Sequence, residues 1–592
     1  MNLREKFNSF RNVFAAEVLR HPLYYFTLLA VALIWFGQIG AAHRVLFDGL
    51  LRDTDDAMRL VEIRDFLAGQ SWFDLTQHRL DPPHGVLMHW SRLIDAPVAG
   101  LILLFKIFTS QEAAERIARL VWPALLQAGF FASLLVLTRQ LVGRVALFPA
   151  AILIGFSWIL ATQFEPGRLD HHSAQMLLSV LVLVFINASA TNPRIAFFAG
   201  LSGAVMLAIG FEGLAVMALA GLYVFLLWIF AKENAAARFL HFGLGLTFST
   251  VLIYVLTVPS QLYLQIFCDA QSFLSFAVMC VSGIIAIALS SSGRFLDTPS
   301  KRIIGAIAFG AIACCLLYQP ASQCFGGPFS AVPQDLKTSW LDRVNENIGL
   351  FEHLKGNFWA YLPFAAPIIL GLFCLIAAAY FQTGWPWILL TALAALHVVL
   401  TFEHLRVVSY ASMFAIPGIA WCIVRLREKS QVMMAVAYIT AIPAFWAIIG
   451  NAMGDTPPPA ANTCNTPKNY TALTELPAST ILAPGDMGPH LLAFTQHSVF
   501  GAPYHRNVDG IRFTFKALFS KYSEVVPKLR EKKPAYIVLC KDLGELRGIQ
   551  KEAPDSLAAR LLRNEKLKGL KKVDLKTELQ VWKVDYASLP AR

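Results

Sequence analysis

Charge is scarce in this sequence. Of 592 residues only 15% are Asp, Glu, Lys or Arg, 56% are hydrophobic, and the mean hydropathy is +0.54. Soluble chains carry roughly 25% charged residues, so a soluble globular fold is excluded and a polytopic membrane protein is expected. Also missing is a basic stripe with interleaved aromatics. The net charge of +11 would suit a nucleic-acid binder, but Lys and Arg sit in short connections between apolar runs, so no nucleic-acid partner is expected. The nine cysteines include no Cys-x-x-Cys spacing, which argues against a zinc ribbon and a thioredoxin-like centre. Two pairs, Cys268 with Cys324 and Cys464 with Cys540, are candidate disulfides if their segments face an oxidising compartment. Neither an internal repeat nor a low-complexity segment is present.

What is abundant is apolar runs. From Tyr24–Ala42 to Val432–Gly450 they recur as about thirteen spans, some shorter than the ~20 residues of a straight crossing. Tyr24–Ala42 follows Arg4, Lys6, Arg11 and Arg20, the order of a signal peptide. It exceeds the ~7–15 residues of a signal core, so it reads as the first span. With the N-terminus inside, the inner connections carry Arg139, Arg144, Arg194, Lys232, Arg238, Arg294, Lys301, Arg302, Arg425, Arg427 and Lys429. Only the turn 382–384 lacks a positive residue, as the positive-inside bias requires. Residues 1–450 form a transmembrane domain with two long outer loops, 43–120 and 319–359. In the first of these, Leu93–Phe105 is expected as an amphipathic helix in the interface, because a crossing there would invert every later loop. After Pro457–Pro459 short β-branched runs alternate with helical ones. Residues 451–592 are therefore expected as a small α/β domain outside the membrane, and roughly 135 residues can bury a core.

The scarce ionisable residues gather at outer boundaries. Arg52-Asp53-Thr54-Asp55-Asp56 follows the first span and Gly167-Arg168-Leu169-Asp170-His171-His172 the third. A helix-capping acidic turn would account for the first triplet alone. Its continuation through Arg59, Glu62, Arg64 and Asp65 to Pro83-His84-Gly85 and His89-Trp90, in so long a loop, points to a site. Asp170 and His172 start a helix and can face one ion, and carboxylates with one imidazole suit Mg²⁺ or Mn²⁺. Glu346 lies in the second long loop. Arg406 opens the twelfth span, where it either snorkels or holds a lipid phosphate.

These residues resemble the catalytic subunit of oligosaccharyltransferase and its bacterial and archaeal relatives, membrane glycosyltransferases of the GT-C fold. Asp55-Asp56-Ala57-Met58-Arg59-Leu60-Val61-Glu62 and Pro83-His84-Gly85…His89-Trp90…Asp95 look like that family's first outer loop. Gly167…Asp170-His171-His172 is similar to its second acidic motif. The resemblance implies a mainly α GT-C-like fold of about 13 helices with an external C-terminal domain. It also implies a metal bound by Asp55, Asp170 and His172, with Asp55, Asp56 and Glu346 on the catalytic side. Arg406 would meet the donor phosphate, and Arg59, His89 and Asp486 would contact substrate. Ile481-Leu482-Ala483-Pro484-Gly485-Asp486-Met487-Gly488 stands where the family has Trp-Trp-Asp-Tyr-Gly and keeps only the Asp and the final Gly, so the resemblance does not carry over the family's peptide acceptor.

The expected activity is metal-dependent, inverting transfer of a sugar or glycan. The donor would be a polyprenyl phosphate or pyrophosphate sugar; the acceptor would be a glycan, lipid or protein. The setting would be a multi-pass bacterial inner-membrane protein, N-terminus cytoplasmic and C-terminal domain periplasmic. Two other readings compete. A lipid or sugar transporter or flippase would place its charges near the bilayer midplane on broken helices. A non-catalytic scaffold would carry the acidic motifs as relics.

Overall fold

The computed structural model describes residues 20–230, 234–344, 346–454 and 463–590. Arg4, Lys6 and Arg11 of the N-terminal basic segment, Lys232, and the Pro457–Pro459 run lie outside the described residues.

A backbone in hydrocarbon must satisfy its own N–H and C=O groups, and every apolar run does so as helix. Among the described residues eight helices are long and apolar enough to cross a bilayer, including Pro22–Asp48, Gln111–Val142, Ala235–Thr257 and Leu405–Arg427. Two further candidates are bent, Arg144–Gly155 with Trp158–Phe164 by 68° and Gln431–Ala441 with Pro443–Met453 by 73°. Pro443 explains the second bend, since it begins the new helix and cannot donate back to the old one. Three shorter apolar helices, His172–Ala188, Pro193–Ile209 and Leu214–Ile229, complete the set. These elements match the apolar runs of the sequence one for one.

The connections sort to two ends of the bundle. At one end Asn187 donates to Gln140, Arg238 to Ser189 and Ile186, and Arg302 to the Trp228 carbonyl. At the other end meet the segments around residues 55, 170, 212, 269, 346 and 406, each following an odd-numbered run. Strict alternation of crossings is what brings them together.

Between the first two spans, Asp53 caps the helix Thr54–Leu67 by accepting the Asp55 N–H at 2.9 Å. The helix Arg92–Lys106 buries Ile94, Asp95, Val98, Ala99 and Ile102 while Leu103 and Leu104 stay exposed, the one-sided pattern expected of Leu93–Phe105. At 15 residues it is short of a span.

The first long loop carries a two-stranded antiparallel pair, β1 (Thr76–Gln77) and β2 (Val86–Leu87), and in the C-terminal domain β3 (Thr480–Leu482), β4 (Ser498–Val499), β5 (Tyr536–Leu539), β6 (Leu570–Val573) and β7 (Gln580–Val584) form a sheet in the order β4-β3-β5-β7-β6. β3 runs parallel to β4 and β5, and β7 antiparallel to β5 and β6. Leu482, Ile537, Leu539 and Trp582 pack with Phe513, Val525 and Leu557 in a core of the domain's own. Ile481, Val499 and Val538 share a second core with Met58, Leu60, Leu80 and Trp90 of the first long loop. The loop also extends the sheet: Leu80 bridges Val499 in parallel, and Arg79 donates to the carbonyls of Leu492, Thr495 and His497. Both candidate disulfides are formed, Cys268–Cys324 and Cys464–Cys540, with Cα atoms 5.3 and 5.8 Å apart.

Candidate active site

The first acidic motif is held from both sides. Below it Asp53 caps the helix; above it the C-terminal domain supplies Tyr504, whose hydroxyl donates to the Thr54 carbonyl at 3.0 Å, and His490, whose Nε2 lies 3.2 Å from the Leu51 carbonyl. Asp55 is thereby aimed into a cleft lined also by His89, His171, His172, Glu212, Glu346 and Arg406.

The second motif closes on the first. Gly167 has φ +95°, and a Cβ there would come within 2.9 Å of Val45, so the turn needs glycine. After it Arg168 spreads its guanidinium over three carboxylates: Asp53 at 2.8 Å, Asp170 at 2.9 Å and Asp56 at 3.8 Å. Asp56 accepts the backbone N–H groups of Leu169 (2.7 Å) and Asp170 (3.2 Å). Asp170 contacts His171 Nδ1 at 2.6 Å and His172 Nε2 at 3.4 Å, and His171 Nε2 reaches Glu212 at 3.3 Å. Ligand atoms of Asp170, His171 and His172 all lie within 4.8 Å of one another, the spacing of a cation site.

Crowded carboxylates dominate the electrostatics. Burial, then Asp53 and Asp170, push the Asp55 carboxyl well above its usual range. Burial also raises Asp56 to about 7 against the pull of Arg168. Burial would raise Asp170 too, but His172, His171 and Arg168 outweigh it and hold that group well below the usual range. His171 loses to burial and gains more from Asp170 and Glu212, reaching about 10.

Glu346 and Arg406 arrive together because the second long loop docks on the start of the twelfth span. Arg406 N–H donates to the Glu346 carbonyl (3.3 Å), Leu405 N–H to Ile348 (3.2 Å), and His404 Nδ1 lies 3.0 Å from the Asn347 carbonyl. A larger chamber shares His172, Glu212, Glu346 and Arg406 with the cleft and continues over Trp158, Phe364, Leu400 and Tyr410. It pairs a polar head with an apolar, aromatic flank.

The structure thus brings Asp55, His172, Glu346, Arg406 and His89 to one cleft, with Asp170 behind His172. It does not bring the other candidates there. Asp56 points inward and shapes the second motif. Arg59 is 1% exposed, bonded to Asp95 at 3.0 Å and lying 4.4 Å over the Trp90 ring, so the guanidinium expected to meet substrate is instead a buried strut. Asp486 faces Glu545, whose carboxylate accepts the Gly485 and Asp486 N–H groups at 3.0 and 3.2 Å. Arg168, Glu212, Tyr504 and His505 line or brace the cleft without having been assigned a part from the sequence. Only Arg168 carried a signal, its place inside the second motif.

The Asp486–Glu545 contact gives a pH prediction. Burial, then Asp486, raise Glu545 from 4.5 to about 8, so the folded pair keeps a proton at neutral pH. Below pH 4.5 folded and unfolded chains are both protonated. Between 4.5 and about 8 the unfolded chain releases its proton first, so stability falls as pH rises through that window. Glu545→Gln is expected to flatten the fall in thermal midpoint across this range; an equal slope in both proteins would contradict it.

No family model matches the chain, and neither does any curated protein. Solved structures do. The archaeal oligosaccharyltransferase AglB from Archaeoglobus fulgidus, in complex with an inhibitory peptide and a dolichol-phosphate, aligns over 97% of this chain and 75% of its own at 12% identity with a TM-score of 0.69. The A. fulgidus enzyme tethered to an acceptor peptide containing the NVT sequon aligns over 98% and 76% at 15% identity, TM-score 0.67. Its complex with Zn and sulfate aligns over 96% and 74% at 13% identity, TM-score 0.63. Across nearly its whole length, this chain has the GT-C fold of the archaeal oligosaccharyltransferase AglB.

Proposed function

We propose that the protein is a glycosyltransferase that moves a sugar or glycan from a polyprenyl-linked phosphate or pyrophosphate donor to an acceptor on the extracytoplasmic face, inverting the anomeric carbon. The observation that carries this reading is the cleft itself. Asp55 faces Glu346 and Arg406 where a polar pocket runs into an aromatic chamber suited to an isoprenoid chain. The dolichol-phosphate bound by the A. fulgidus enzyme supports the donor class.

The donor set fits a hard divalent cation, Mg²⁺ or Mn²⁺. Asp170, His171 and His172 present ligand atoms within 4.8 Å of one another, Asp55 and Glu346 add two carboxylates to the same cleft, and the like-charge part of the upward push on Asp55, second to burial, is what a cation would relieve. When bound, such a cation offsets the charge of the departing phosphate. The chain's own residues do the rest. Arg406 binds the lipid phosphate. Asp55 orients the acceptor and takes its proton, and direct attack at the anomeric carbon breaks the bond to phosphate. Arg168 and Asp56 hold the two motifs in register. Two disulfides among the segments at the cleft end support an oxidising compartment there, and the basic inner connections support a cytoplasmic N-terminus and a bacterial inner membrane with the C-terminal domain in the periplasm. The acceptor, a glycan, lipid or protein, meets no Trp-Trp pair at residues 481–488.

The test is lipid mass spectrometry on cells lacking the protein, followed by incubation of the accumulated lipid with purified protein in detergent and a membrane extract as acceptor. A polyprenyl-linked glycan should build up and then be consumed. A lipid that builds up but is untouched in detergent, where there are no leaflets to cross, would favour a flippase.

A further inference from the structure

A second constellation lines the same cleft. His89 comes from the first outer loop, Asp269 from the connection after Ala235–Thr257, and His505 from the C-terminal domain. One ligand nitrogen of each imidazole and a carboxylate oxygen of Asp269 lie within 4.8 Å of one another. The two rings are 4.6 Å apart, and His505 Nε2 is 2.6 Å from Asp269 Oδ2. His89 Nδ1 is buried and has no hydrogen-bond partner among the described residues. All three residues line the cleft, which gives an ion a path in and leaves a side open for a fourth ligand.

We infer that His89, Asp269 and His505 form a second cation site, separate from the acidic one and selective for a Zn²⁺-type ion. Two imidazoles and one carboxylate are the donor set of a three-ligand zinc centre with an open position, whereas Mg²⁺ favours oxygen. Arg506 is compatible with this. Its Nε and Nη2 hold Asp269 Oδ2 and Oδ1 at 2.6 and 2.8 Å, and its Nη1 is fixed by the carbonyls of Leu87 (3.4 Å) and Met88 (3.2 Å). Among the described residues Oδ1 accepts that one bond, so a lone pair remains, and an ion seated between His505 Nε2 and the carboxylate replaces their direct contact at Oδ2. Arg506 then orients the carboxylate from outside the coordination shell. The ion would join three segments far apart in the chain, one of them tied through Cys268 to Cys324.

The experiment uses full-length protein stripped by chelator, in an Asp170→Asn/His172→Ala background so that the acidic site is silent. After dialysis against Zn²⁺ this background should retain one Zn²⁺ per chain, and adding His505→Gln should remove it. Zinc absent from the background, or retained after His505→Gln, overturns the assignment. Because His505→Gln also loosens a contact between segments, wild-type crystals soaked in Zn²⁺ provide an independent arm. An anomalous peak between His89, Asp269 and His505 is expected, and none there overturns the inference. Neither arm depends on sugar transfer.

Discussion

Asp55→Asn should lower turnover of the polyprenyl-linked donor by about 10³-fold while leaving the thermal midpoint unchanged or higher. The first half follows from position. Asp55 is the carboxylate of the first motif that faces the cleft, and removing a positioned base typically costs 10²–10⁴-fold. The second half follows from charge. Burial, Asp53 and Asp170 all work against an ionised Asp55, so losing its carboxylate relieves repulsion rather than breaking a stabilising pair. A residue kept for structure would show the reverse, activity lost in step with stability. Turnover and unfolding measured on one preparation separate the two, and a fully active Asp55→Asn protein would remove this residue from the chemistry.

Arg168→Ala has the opposite signature: a loss of about 3–5 kcal/mol in stability with activity falling alongside. Among the described residues its guanidinium is the one cation bridging Asp53, Asp56 and Asp170, and the latter two side chains are only 2% and 1% exposed. Without it these buried carboxylates must ionise against one another or take up protons. Arg168→Lys should recover little, because an ammonium cannot span three acceptors as a planar fork does. Denaturation midpoints of the three proteins check this; a cost below about 1 kcal/mol for Arg168→Ala would mean that the cluster is held by something other than this arginine.

Much of this was legible in the residues because the bilayer imposes a coarse grammar. Length and apolarity located the helices, and the alternation of basic connections sorted the loops to two ends. The cluster at the cleft end was legible because Asp55, Asp170, His172, Glu346 and Arg406 are ionisable groups at boundaries where such groups are rare. The inward turn of Arg59 was not. It depends on Asp95, 36 positions further on, and on the ring of Trp90 beneath it. Nor was the His89–Asp269–His505 meeting, which spans 236 positions between the last two and has no local spacing to betray it. Motif reading places residues near one another in the chain; it cannot say which neighbour turns its side chain to the cleft and which to the core.

The strand-like docking of Leu80 on Val499 sets a clock on biogenesis. Arg79 and its carbonyl partner at Thr495 are 416 positions apart, so at about 5–20 residues per second the ribosome needs on the order of tens of seconds to deliver the second after the first. Until the tail has been made and seated, Tyr504 and His490 are not there to brace the acidic turn, and under the proposed function a nascent or truncated polypeptide is expected to be inert. The last-made segment is in effect the key that arms the earliest one.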